Sequence, residues 1–544
     1  MNIKPSRPRA DLPTIILHWG LVICLLLSIS TGLRIAMKSE DNVWMKWVEV
    51  LLLQGNVERW HFISAAILTA LVLAYLAFLL KGGLAGRLKL RLAALGSPDR
   101  ATRWQAINKL IYWMAFALLL GAALTGVILY FFGGALPTEA VALVHQILAW
   151  GFVAYIVLHV VAQLVLGGLR QLFKIVTPRL AYGMAAITAL LIGASGAAIA
   201  YFGDSSRIQQ LEIAKTDTAP VLDGDANDAL WQKAPQAVVH TSRGFGLEGG
   251  EVDVKVRALH DSEYAYFLFQ WKDATRSQKH IPLIKTAQGW KLMQTAYSKN
   301  DENDYYEDKF AVMLAPSPIA GGNTVHLGPK PLSDKSGPTN GLGLHYTTDG
   351  SLADVWHWKS VRSDATHQFD DNYFGAPMEE KKGKRYTGGY NQDPKTGGGF
   401  EQMWEKIKDS DLVTVKFLPK DLAATQAAMG KIDPNPNTGD SGIFSIKKSD
   451  TVAYSAELDA QIPLGTVIPS VLVDQPFAGD RGDVTVYSKW QDGIWTLEAR
   501  RKLDTGSKFD QPIASGMYMW LAVFDHNQVR HTRHIHPLRL NLQN

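Results

Sequence analysis

The first 203 residues contain five apolar stretches, at about 14–36, 61–80, 108–132, 141–166 and 181–202, each close to the roughly 20 residues needed to span a bilayer. Lipid offers no partner for a backbone N–H or C=O, so runs of this kind are committed to helices and this part of the chain to a transmembrane bundle. Lys4, Arg7 and Arg9 ahead of the first run would also suit a signal peptide. His18 and Trp19 interrupt its core, no small-residue cleavage site follows, and four more spans come after. The first run is therefore read as a span.

Charge divides the chain at the same place. Residues 1–203 carry 17 Lys+Arg against 7 Asp+Glu, and the remainder carries 38 against 44. The positive charge flanks apolar segments instead of forming one patch, which argues against a nucleic-acid partner. It collects before span one, between spans two and three (Lys81, Arg87, Lys89, Arg91, Arg100, Arg103, Lys109) and between spans four and five (Arg170, Lys174, Arg179). Residues 133–140, after span three, have none. The positive-inside rule then predicts a cytoplasmic N-terminus, and five spans put everything after Asp204 outside, in the periplasm of a bacterium. Residues 43–53, with Trp44 and Trp47, are too short to span and read as an interfacial helix. Cys24 is the single cysteine, which excludes internal disulfides, iron–sulfur clusters and CxxCH haem attachment. Any redox group must be held non-covalently by His, Met or Lys.

Four histidines lie in or at the mouths of these runs, and an ionisable group at membrane depth is a functional-site hypothesis by default. His18 lies near the cytoplasmic end of span one, His61 at the outer end of span two, His145 near the outer end of span four and His159 deeper in it. The last two are 14 residues apart, about 21 Å along a helix, and within roughly 40° of one face. Matching depths pairs His61 with His145 and His18 with His159. Two imidazoles on facing helices can clamp a haem iron from both sides, a low-spin arrangement suited to electron transfer. A lone interfacial histidine is usually unremarkable, whereas four falling into two depth-matched pairs predict two membrane haems.

The phrases "LPTIILHWGLVICLLLSISTG", "ERWHFISAAILTALVLAY" and "VHQILAWGFVAYIVLHVVAQL" resemble the bacterial cytochrome b561 and hydrogenase cytochrome b group over roughly residues 10–180. The resemblance implies haem b ligands at His18, His61, His145 and His159, and exchange of electrons with quinone. Arg34, at the outer end of span one, is a candidate partner for a haem propionate, or an arginine snorkelling to headgroups.

After a polar linker at 204–218 the pattern changes. Alternating runs at 252–256, 264–271, 412–417, 484–490 and 494–499 read as strands, separated by Gly/Pro/Lys-rich stretches at 315–343, 381–399 and 430–442. A β-sandwich is expected, with no evident internal repeat. The glycine-rich loops lack a strand–GxGxxG–helix setting, so no nucleotide site is expected. Asp223, Asp225 and Asp228 resemble a calcium loop only superficially and read as a turn.

"VLDGDANDALWQKA", "VKVRALHDSEYAYFLFQWKDAT", "YYEDKFAVML", "DVWHWKSVR", "DDNYFG" and "YMWLAVFDHNQVRH" resemble the haem-binding domain related to the ethylbenzene dehydrogenase γ subunit, over about 219–544. That resemblance implies one non-covalent haem b, held in the γ subunits by a methionine and a lysine. This chain departs from the pattern: His345 stands where the methionine is expected, and His531 is the first choice opposite it. Met517, Lys502, His526 and His534 stay open. His357 alternates with Trp356 and Trp358, so it faces away from both and competes with His345.

The expected architecture is thus multidomain: an all-α transmembrane bundle with a four-helix di-haem core (1–180), a fifth helix (181–203), a linker (204–218) and a β-sandwich (219–544). The expected function is that of an inner-membrane b-type cytochrome relaying electrons between the quinone pool and a periplasmic redox partner, through two membrane haems and a third in the soluble domain. No nucleophile–base arrangement and no molybdenum or flavin motif is evident. The alternatives are a tethered haem- or ligand-binding sensor, and a terminal haem reductase with an open coordination position.

Overall fold

The computed structural model of the 544-residue chain describes residues 10–37, 47–48, 51–132, 138–293, 304–318, 326–327, 346–347, 350–376, 378, 389–433, 435 and 438–544. The chain forms two compact units, residues 1–207 with 324–329, and the remainder. The proposed interfacial helix at 43–53 falls largely outside the described residues, and His345 lies wholly outside them.

The first unit is built on α1 (Leu12–Ala36), α2 (Val57–Lys81), α3 (Arg100–Phe131), α4 (Thr138–Phe173) and α5 (Gly183–Ser205). All five are long and apolar enough to cross a membrane, and the chain is a multi-pass membrane protein. Several helices begin before the apolar runs do, because polar caps start them. Asn56 accepts the Arg59 amide at the head of α2, and the Asp99 carboxylate accepts the amides of Ala101 and Thr102 at the head of α3. Gly167 and Gly168, the latter at φ +59°, break α4 after its apolar part.

α1 packs along α2, α3 along α4, and α5 along α2, while contacts between α2 and α3 or α1 and α4 are sparse. Small residues allow the close approaches. A Cβ on Gly196 of α5 would sit 2.3 Å from the Ala70 Cβ of α2. Ser28 and Ser64 join α1 to α2 through a 2.7 Å hydroxyl hydrogen bond. The four-helix core is thus two hairpins, each tightly packed internally and loosely packed on the other.

The second unit is β-rich. Its main sheet uses β1 (Gln209–Lys215), β2 (Gln236–Thr241), β3 (Val252–His260), β4 (Tyr264–Lys272), β5 (Lys309–Ala315), β6 (Ala353–Lys359), β7 (Asp370–Phe374), β8 (Tyr390–Gln392), β9 (Thr485–Gln491), β10 (Ile494–Lys502), β11 (Tyr518–Phe524) and β12 (Leu538–Leu542). They run in the order β8-β7-β6-β5-β11-β12-β1-β3-β4-β10-β9, with β2 also paired to β3. β1 is parallel to both β12 and β3, and the remaining pairs are antiparallel. The sheet folds over on itself: Trp271 of β4 stacks on Phe310 of β5 at 4.9 Å, and Trp358 of β6 meets Trp495 of β10 at 4.9 Å. Neither pair is adjacent in the sheet. The inner faces therefore close on one aromatic core, as in a sandwich.

Four of the five alternating runs form β3, β4, β9 and β10. The run at 412–417 instead forms two short strands, Val413–Val415 and Phe417–Pro419, in a smaller core with Leu283, Trp290 and Leu472. Asp223 accepts the Asp225 amide and Asp228 caps the helix Ala229–Lys233, so these carboxylates serve a turn. Behind that turn Trp231 donates to Glu498, which also accepts the amides of Asp223 and Gly224.

Candidate functional site

In the helical unit the four histidines meet as two pairs. The ring centres of His18 (α1) and His159 (α4) are 6.3 Å apart, and those of His61 (α2) and His145 (α4) are 6.0 Å apart. An imidazole nitrogen bonds a metal at about 2 Å and its ring centre lies about 1 Å behind, so two rings facing one iron have centres roughly 6 Å apart. The spacing suits a metal between each pair and is too wide for the rings to stack.

Hydrogen bonds fix the tautomer of one pair. His61 Nδ1 lies 3.0 Å from the Ser28 carbonyl, which can only accept, so this nitrogen carries the proton. Thr31 Oγ1, 3.1 Å from the same nitrogen, directs its own hydrogen to the Leu27 carbonyl at 2.7 Å. His145 repeats the arrangement: Thr125 Oγ1 is 2.8 Å from its Nδ1 and donates to the Gly121 carbonyl at 2.8 Å. With Nδ1 protonated, Nε2 presents its lone pair, the form a metal takes.

A glycine follows each threonine. A Cβ at Gly32 would lie 3.0 Å from His61 Cε1, and one at Gly126 would lie 3.4 Å from His145 Cε1. The Thr-Gly dipeptide thus recurs in α1 and α3 with the same role. The other pair has aromatic company, Tyr112 and Tyr155 lying 5.4 and 5.6 Å from the His159 ring. Beside His61, Asp204 at the end of α5 takes Arg59 Nε at 2.7 Å and the Tyr130 hydroxyl at 2.8 Å, tying α2, α3 and α5 together. Arg34 is only 3 % exposed, which favours a role inside the bundle over snorkelling.

In the β-rich unit the candidates gather on the face of β5, β6 and β11 opposite the core. Trp356 and Trp358 point into the core and His357 points away from it. His357 stacks on Phe524 at 5.2 Å, and the Phe524 ring is 4.8 Å from that of His531. Lys309 Nζ sits 4.0 Å over Phe524. Ala311 and Ala522 fill the neighbouring registers, so the face beside His357 stays low. His531 Nδ1 donates to the Thr532 carbonyl at 2.7 Å. His357 Nε2 is buried with no hydrogen-bond partner among the described residues. Burial, helped by Lys359, Lys309 and Arg362, holds its pKa well below the usual histidine value, so the ring is neutral. An orphaned, neutral, buried imidazole nitrogen fits a metal ligand.

Other candidates are occupied elsewhere. His534 accepts the Leu521 amide on Nε2 and bonds the His536 carbonyl through Nδ1, which uses both nitrogens. Met517 is in the core, Lys502 is exposed near Glu263, and His526 is bound to Asp525.

A family model described as ethylbenzene dehydrogenase matches residues 228–535, more than half of the chain, and one described as prokaryotic cytochrome b561 matches residues 9–178. The chain belongs to the ethylbenzene dehydrogenase family and carries a cytochrome b561 domain ahead of it. The fused architecture read from the sequence is the one these matches describe. The b561 match over residues 9–178 points to a membrane b-type cytochrome of electron transfer, with haem b as its cofactor.

No curated protein matches the chain. Among solved structures it is similar to a carbohydrate binding module family 9 from Caldicellulosiruptor kristjanssonii in complex with cellotriose, at 10% identity over 62% of this chain and 95% of that one, TM-score 0.23. The same module with glucose gives 11% over 61% and 97%, TM-score 0.23.

Sequence reasoning found the histidines of the b561 domain but missed Thr31 and Thr125. The signal available was the repeated Thr-Gly pair in the first and third spans, Thr31-Gly32 and Thr125-Gly126.

Proposed function

We propose that this b561–ethylbenzene dehydrogenase fusion relays electrons between the membrane quinone pool and a redox partner outside the cytoplasm. His18 with His159, and His61 with His145, would each hold a haem b. His531 would hold a third on the β-rich unit, with either His345 or His357 opposite. These groups supply one-electron redox centres when bound. The chain's own residues set the conditions: Thr31, Thr125 and the Ser28 carbonyl fix Nδ1–H on His61 and His145, and Arg34 is a buried candidate partner for a propionate.

The observation that carries the reading is the pairing itself, two sets of rings about 6 Å apart on facing helices, separated by about 21 Å along α4. The basic loops support a cytoplasmic N-terminus in an inner membrane, and five spans then put the β-rich unit in the periplasm. Its excess of acidic residues favours a basic partner with salt-sensitive docking. The test is anaerobic reduction of the purified full-length protein by a quinol analogue, followed by visible spectroscopy. The proposal expects low-spin b-type spectra, bleached and restored with quinol and quinone. Haems unreactive to quinol, or a high-spin CO-binding centre in the β-rich unit, would contradict it.

A further inference from the structure

Away from the face with His357 and His531, five carboxylates converge on a single guanidinium. Asp354 (β6), Asp371 (β7), Asp393 (after β8), Asp483 (before β9) and Asp510 (between β10 and β11) surround Arg501 of β10. Arg501 Nη1 and Nη2 lie 2.9 Å from Asp354 and 3.1 Å from Asp510, and its Nε lies 3.7 Å from Asp483. Asp354 and Asp371 are 0 % exposed and Asp393 3 %. Carboxylate oxygens of Asp354, Asp371 and Asp510 lie within 4.8 Å of one another.

One guanidinium leaves this cluster with a large excess of buried negative charge, which proteins tolerate only with a counter-charge or by taking up protons. Hydrogen bonding does not supply the compensation. One oxygen each of Asp354, Asp371 and Asp510, and both oxygens of Asp393 and Asp483, are buried with no hydrogen-bond donor among the described residues. Asp393 is the independent pointer, because a side chain this buried comes in from its own segment, meets Asp510 and finds no donor at either oxygen.

A second acidic group in the same unit shows what donors can do. At Asp273, Asp308 and Asp525, the Asp308 carboxylate accepts the amides of Ser277 and His526 and the Trp495 Nε1–H, and among the described residues only one buried oxygen of the three, on Asp273, lacks a donor.

We propose that Asp354, Asp371, Asp393, Asp483 and Asp510 form a binding site for one divalent cation, and that the cation is calcium. All-oxygen, carboxylate-rich coordination selects a hard cation. Calcium takes six to eight oxygens and accommodates several carboxylates, whereas magnesium is usually held by one or two carboxylates and keeps several waters. Asp483 is 22 % exposed and lines a polar surface cavity of about 320 Å³ with Asp480, Thr505 and Ser507, which gives an entry path. A bound ion would pin the segments around Asp393, Asp483 and Asp510 to β6 and β7.

The test uses full-length protein in detergent, stripped with EGTA and titrated with CaCl2 or MgCl2 by calorimetry, with thermal unfolding followed by tryptophan fluorescence. The expected result is one calcium per chain and a rise in Tm of roughly 5 °C at 1 mM CaCl2, with little response to 1 mM MgCl2. Asp371→Asn and Asp393→Asn should each weaken calcium binding at least about tenfold, since affinity follows ligand charge, while exposed Asp225→Asn leaves it unchanged. Stripped wild type that binds no calcium, or that responds equally to magnesium, overturns the proposal without any variant having to fold. Folded Asp371→Asn and Asp393→Asn proteins that keep wild-type calcium affinity overturn it equally.

Discussion

At the scale of single residues, the decisive groups in the membrane unit are small. Thr125 fixes His145 by spending its one hydrogen on Gly121, which obliges the imidazole to donate. A donating ring is a more basic, more electron-rich ligand and stabilises oxidised iron. Thr125→Val should therefore keep the bundle folded, raise the midpoint potential of one membrane haem and weaken its retention by roughly tenfold, as redox titration and haem content would show. An unchanged potential would mean the threonine does not act on the ring. In the β-rich unit, burial depresses the pKa of His534 from 6.5 to about 4. Between those values the unfolded chain binds a proton that the folded chain refuses, so stability is complete above about pH 6.5 and falls as pH drops towards 4, by at most about 3 kcal/mol. Denaturation midpoints of wild type and His534→Gln, followed at pH 7, 6 and 5, check this: the substitution should flatten the acid slope.

At the scale of elements, each helix hairpin positions its histidine through a glycine on the partner helix. Gly32→Leu would place a Cβ 3.0 Å from His61 Cε1 and a branched side chain beyond it, so the ring must move. The expected outcome is loss of one haem, with the protein still inserted and helical by circular dichroism. Retention of both membrane haems would show that α1 does not need that gap. The helices themselves were legible as apolar runs because lipid imposes one solution on them. Their ends were less so, since hydropathy marks where a helix turns apolar, and Asn56 and Asp99 start α2 and α3 earlier. Four of the twelve main-sheet strands, β3, β4, β9 and β10, were visible from alternation, but the order β8-β7-β6-β5-β11-β12-β1-β3-β4-β10-β9 was not. Alternation reports which face a residue takes and says nothing of which strand lies beside it.

At the scale of the whole molecule, charge asymmetry, span number and the change of pattern near residue 204 together indicated a helical membrane unit followed by a β-rich one, and both family matches agree with that division. The four membrane histidines were legible because polar groups stand out in apolar sequence. The acidic cluster around Arg501 was not, because its carboxylates come from five separate segments and none has ligand spacing along the chain. His357 emerged as a soluble-unit candidate only partly from sequence: alternation gave its face, but its orphaned Nε2 and the flat Ala311–Ala522 surface needed the fold.

The central claim is that the membrane histidines work in two fixed pairs. Haem per protein, measured by pyridine haemochrome on single and double alanine variants, tests it most directly. His61→Ala and His145→Ala should each lose one haem, and the double variant should lose no more than either. Combining His61→Ala with His159→Ala should cost two. A His61→Ala/His145→Ala protein that loses two haems, or a His61→Ala/His159→Ala protein that loses one, would contradict the pairing.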